Sequence, residues 1–110
     1  MNQKIEKSGW RAALDRASKS LSGKRAEIEI AALNLGDHIA AEWLPIIGLT
    51  YDSRDDIIEV ALDGLDHIIS QPHELYYQLE GGQVAAVEII DMKGVRHIVK
   101  FREPLMLPAP

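Results

Sequence analysis

Cysteine is absent from the 110 residues. That excludes a disulfide scaffold, thiolate zinc sites, iron–sulfur ligation and a cysteine nucleophile. No apolar run approaches the roughly 20 residues needed to span a bilayer. The first 25 residues carry no apolar core of a secretory signal, so the expected compartment is the cytoplasm, with no membrane partner. There is no internal repeat and no low-complexity segment. No G-x-S-x-G, Walker loop, dinucleotide fingerprint or H-E-x-x-H appears. Gly81-Gly82 is too short to cradle a phosphate, and no cofactor is expected.

Basic charge is missing from the middle. Residues 26–92 hold fourteen Asp/Glu against the single Arg54, while residues 1–25 sum to +5 and residues 93–110 to +3. Such segregation predicts that both ends lie near the middle in the fold, or near the middle of a second copy. A solvated surface would also tolerate it, since exposed ion pairs contribute only about 0–1 kcal/mol each. An acidic sheet is a poor phosphate binder, which disfavours nucleic acid.

What remains is an ordinary globular composition, 46% apolar and 26% charged. One domain of this length buries roughly 65% of its unfolded surface, enough for one core. Trp10, Ala13, Leu14, Ala17 and Leu21 recur at helical spacing. They predict an amphipathic helix from Ser8 to Leu21, capped by Ser8 and ended by Gly23. From Ala26 the period changes to two, and Ala26, Ile28, Ile30 and Ala32 read as one strand face. Asn34-Leu35-Gly36-Asp37 reads as a turn. His38–Leu44 reads as a strand, with a helix ended by Pro45 as the alternative. Ile46–Tyr51, the turn Asp52-Ser53-Arg54-Asp55, and Asp56–Leu62 follow, with Ile58, Val60 and Leu62 facing inward. Leu65–Ser70 fits a short strand or one helical turn, stopped by Pro72. Glu74–Glu80, Gln83–Asp91 and Val95–Arg102 read as three strands joined at Gly81-Gly82 and Lys93-Gly94. The fold class is α+β: an N-terminal helix, then six or seven short, mainly antiparallel strands able to curl into a small barrel. The domain spans 1–103, and 104–110 is an extended, proline-containing tail.

Candidate chemistry falls on one cluster. His67 and His73, with Asp66 to orient an imidazole, carry residue types suited to metal or acid–base work. A histidine satisfied by backbone or carboxylate is the simpler reading. His97 reads as a core or interface residue, and His38 as exposed. The turn at Tyr51, Asp52, Arg54, Asp55 and Asp56 gathers carboxylates, yet it lacks the alternating calcium-loop pattern, and Arg54 sits among them. A hairpin needs the same residue types. No catalytic, cofactor-binding or metal residue is therefore assigned.

Trp10, Leu44-Pro45, the run from Gly48 to Asp56, and His67-Ile68 with Pro72 together resemble a family of small bacterial proteins known as a domain of unknown function. The Tyr-Asp-x-Arg-Asp-Asp turn and the His-Ile-x-x-x-Pro segment are its most specific parts. The resemblance covers nearly the whole chain. It implies a bacterial, self-contained domain and brings no activity or site residues. The expected function is a non-enzymatic protein-interaction or self-association module, its partner another protein or a second copy. The alternatives are a small enzyme or metal-dependent protein using His67, His73 and the Asp52–Asp56 turn, and a small-barrel RNA binder.

Overall fold

Period-two alternation carries most of the chain into β-structure. The computed structural model describes residues 2–32 and 36–106. In chain order these form β1 (Asn2–Ile5), a 3-10 turn (Lys7–Gly9), α1 (Trp10–Ser18), β2 (Arg25–Ala32) and β3 (Gly36–Asp52). There follow β4 (Ile57–Leu62), β5 (Leu65–Ser70), β6 (Pro72–Glu80), β7 (Gln83–Asp91) and β8 (Arg96–Leu105). Every pairing is antiparallel, in the order β1-β6-β7-β8-β2-β3-β4-β5. The α+β class holds, with eight strands rather than six or seven. The order has two free ends, so among the described residues the sheet is open and does not close into a hydrogen-bonded barrel.

Three local expectations are corrected. Ser8 does not cap the helix: it lies in the 3-10 turn, and Gly9 takes the N-cap position without a side-chain bond. Pro45 ends nothing. β3 runs through it for 17 residues, pairing with β2 before the proline and β4 after it. One residue is inserted into β3 opposite the step from Ala26 to Ile28, and there Trp43 holds a φ of 49°. A bulky side chain in that left-handed region stores about 1–3 kcal/mol of strain. A second residue is inserted opposite the step from Ile28 to Glu29, and a third irregularity, between Ile46 and Gly48, completes the bend. β5 spans Leu65–Ser70 and ends before Pro72 as expected, and Pro72 itself opens β6. Toward the C-terminus, β8 reaches Leu105, which is fully buried. The first two residues of the expected tail are thus strand, while residues 107–110 lie outside the described residues, as do Asn34 and Leu35 of the expected turn.

β5 and β6 are consecutive in sequence but lie toward opposite ends of the sheet order, so the sheet must fold over on itself. The corner is Gln71, with a φ of 51°. Its N–H donates to the Asp56 carbonyl and its carbonyl accepts from Met92 N–H, both at 3.0 Å. The folded sheet encloses Ile28, Leu49, Ile58, Val60, Ile69, Leu75, Val87, Ile89 and Val99, all essentially inaccessible. The inward prediction for Ile58, Val60 and Leu62 is borne out.

Helix α1 fills the remaining gap with Trp10, Leu14 and Ala17, and Leu21 follows just beyond it. Polar bonds fix its seat. The Ser18 hydroxyl donates to the Leu49 carbonyl at 2.7 Å and accepts from Leu49 N–H at 3.0 Å. Tyr77 Oη donates to the Ala13 carbonyl, and Trp10 Nε1 to the Ile5 carbonyl. The charge segregation resolves within one chain. Lys4–Glu74, Lys7–Asp56, Arg96–Glu88 and Lys100–Glu29 each join a basic end to the acidic middle.

Candidate functional site

The β3–β4 turn is held by its own side chains. Asp52 Oδ1 accepts from the N–H groups of Arg54 and Asp55 at 2.9 and 3.3 Å, a local turn that a short carboxylate makes readily. Tyr51 Oη donates to Asp56 Oδ1 at 2.9 Å, and Lys7 Nζ lies 3.3 Å from the same oxygen. The Tyr51 ring meets Trp10 edge-on, 5.2 Å between centroids. Burial, then the Asp56 carboxylate, pushes the Tyr51 phenol up. The Asp52 and Asp56 carboxylates are thus occupied, one in shaping the bend and the other in bracing it against the 3-10 turn.

The remaining candidates are not gathered there. β5 pairs with β4 so that Ser70 stands opposite Ile57, beside the turn, while His67 stands opposite Val60 and Asp66 opposite Ala61, progressively farther away. Asp66 and His73 are exposed.

His67 instead meets a partner from another strand. Its Nε2 lies 2.9 Å from Nδ1 of His97 on β8, and His97 Nε2 lies 3.1 Å from Asp91 Oδ2 at the end of β7. Asp91 Oδ1 accepts from Lys93 and Val95 N–H, which fixes the carboxylate at the mouth of the β7–β8 hairpin. Burial pushes the Asp91 carboxyl up, but the His97 ring and those two backbone donors together outweigh it and hold the group below its ordinary range. An ionised Asp91 requires the hydrogen on His97 Nε2. With both rings neutral, His97 Nδ1 accepts, and His67 Nε2 donates. Burial, then the neighbouring His97, holds His67 below its ordinary value, leaving a bare Nδ1. The three groups form a line rather than a cage, because the His97 ring separates His67 from Asp91. Accordingly, among the described residues no three His, Asp or Glu side chains converge on a point where a metal ion could sit.

Sequence reasoning placed His97 in the core or an interface but did not join it to His67, and it did not single out Asp91. The His97–Asp91 half had a signal: an aspartate and an inward histidine flank one tight hairpin. The link to His67 had none, since it crosses thirty residues and a sheet fold.

The second feature is the outer side of β5. Among the described residues, β5 pairs only with β4. Ile69 anchors it in the core, while Leu65 and Ile68 are 39% and 45% exposed, and Met92, which shares a cavity with Ile68, is 61% exposed. A shallow cavity of about 250 Å³ lies between Ile68 and Met92, reaching His97 and Asp91. The β4–β5 hairpin carries Glu59, Asp63 and Asp66 and no Lys or Arg. None of those three enters an ion pair among the described residues.

No helix is long and apolar enough to cross a membrane among the described residues. No solved structure matches this chain. A protein of Aquifex aeolicus (strain VF5), described as uncharacterized, is 32% identical over 105 residues, covering 94% of this chain and 95% of its own. The profile described as Family of unknown function (DUF5335) matches residues 1–110, and with that bacterial relative it establishes that the chain belongs to this family.

Proposed function

We propose that this protein is a non-enzymatic, cytoplasmic protein-interaction module that receives an extended segment of a partner along β5. The observation that carries the reading is the unpaired outer edge of β5, flanked by exposed Leu65 on one face of the strand and exposed Ile68 on the other. A free edge offers backbone donors and acceptors to a further strand, and exposed apolar side chains add burial when one docks. Charge selects the partner. With Glu59, Asp63 and Asp66 uncompensated, a segment alternating Lys or Arg with apolar residues fits, whereas a second copy brings like charge.

The test is amide hydrogen exchange on the full chain titrated with an acetylated, amidated peptide of alternating Lys and Val. Slowed exchange along 65–70 is expected, lost at about 1 M salt, where the screening length falls to about 3 Å. It is also lost in Ile68→Lys. Protection along β1 instead, or none, overturns the reading. A dimer seen by light scattering and dissolved by Ile68→Lys assigns the edge to a second copy.

One observation favours an acid–base reading: the Asp91–His97–His67 line, in which a carboxylate orients one imidazole against another. There His67 Nδ1 is the free base. Screening hydrolysis of small esters against His67→Gln and Asp91→Asn tests it; equal rates in all three proteins end that reading. The RNA-binding alternative gains no such support, since the sheet is open and four basic residues of the chain ends are spent on internal carboxylates.

A further inference from the structure

On the other side of the molecule the ladder between β7 and β8 opens. Val84 stands opposite Leu105, but Ala86 stands opposite Lys100, so two steps on β7 are answered by five on β8. β8 stays on β2 meanwhile, through Ala26 opposite Phe101. Phe101 to Pro104 therefore bow away from β7, and the gap is the mouth of a cavity of about 470 Å³. That volume lies in the range of small-molecule sites.

Trp43, Lys100 and Arg102 line it, with Gln78 and Glu80 opposite. Trp43 is the residue with the left-handed backbone, its carbonyl clamped by Arg25 Nη1 at 3.0 Å. Strain of this kind concentrates where a side chain must be aimed rather than merely packed. Arg102 is exposed and forms no ion pair among the described residues. Lys100 gives one contact to Glu29 at 2.7 Å, which leaves other ammonium hydrogens free. Glu29 already balances the Lys100 charge, so Arg102 is the cation of the groove without a carboxylate partner among the described residues.

We propose that this groove binds a small aromatic carboxylate, its ring against the Trp43 indole and its carboxylate on the Arg102 guanidinium, with Lys100 as a second donor. An indole face suits a planar ring, and a guanidinium fork matches the two carboxylate oxygens. The site is independent of the β5 edge.

Titration of the full chain with benzoate and with indole-3-carboxylate, followed by amide, indole and guanidinium nitrogen–proton shifts, tests the proposal. Millimolar binding is expected, with shifts at Trp43, Lys100 and Arg102. Benzamide, which keeps the ring and lacks the charge, should bind about tenfold more weakly, as should benzoate to Arg102→Gln. Arg102 is exposed, so that variant folds. No shift at millimolar ligand, equal binding of benzamide, unchanged binding by Arg102→Gln, or shifts confined to another face each overturn it.

Discussion

The two outer edges of the sheet are built differently. β1 is four residues long, has Asn2, Gln3 and Lys4 exposed, and contributes only Ile5 toward the core. Lys4 reaches Glu74 on the neighbouring strand at 3.7 Å. Short length, polarity and a lysine are the usual ways to keep an edge from recruiting another strand. β5 has six residues, no Lys or Pro, two exposed aliphatics and one charge, Asp66. Yet it is the better anchored of the two, through buried Ile69 and the His67–His97 bond. One edge is blunted and loosely held; the other is open and firmly held. A surface meant to receive a partner needs the second combination, because a strand that frays presents no template.

The largest expected effect tests the anchoring. Ile69→Ala should lose about 2–4 kcal/mol in urea unfolding, the usual loss for a fully buried aliphatic, and Ile5→Ala distinctly less. Equal losses would erase the contrast.

Next comes pH. The His67 value in the folded state lies below its ordinary one, so the unfolded chain binds the proton more readily. Stability should fall as pH drops below about 6.5, and Asp91, also depressed, should add a further loss below about 3.9. In His67→Gln the upper of these two declines should shrink, measured as urea midpoints across the range. An unchanged profile would detach the pair from the anchoring of β5.

Smaller still, Ile68→Lys should leave stability within about 0.5 kcal/mol while abolishing peptide protection on β5, since the side chain is half exposed. Smallest is Lys4→Ala, which breaks an exposed pair and should change stability by at most about 0.5 kcal/mol, vanishing in high salt.

Much of the architecture was legible because alternation and turn chemistry are local. Ala26 and Ile28, the Ile58–Val60–Leu62 face and the Gly81-Gly82 hairpin all follow from neighbours a few residues apart. Proline at position 45 is ambiguous in sequence for one reason. Pro45 separates His38–Leu44 from Ile46–Tyr51 in the sequence pattern but sits inside one strand, and Pro72 ends β5 as expected while also beginning β6. Proline lacks only its own donor, and strand ends and irregular ladders tolerate that loss. β1 was missed because Asn2–Ile5 has no period of its own; its place comes from β6 and from Trp10 donating to Ile5. At the candidate cluster, the turn from Tyr51 to Asp56 came together as its spacing suggested, while Asp66 and His73 remained apart from it.

By itself the sequence determined the alternation of buried and exposed positions, the amphipathic helix and the places where the chain turns. Each depends on side chains within one turn or one strand. Tertiary structure alone decided which strands became edges, that His67 would meet His97 and Asp91, and that Trp43 and Arg102 would share a groove. Those outcomes depend on how far the sheet curls and where its ladder slips. Both are set by packing summed over the whole core, which no local window contains.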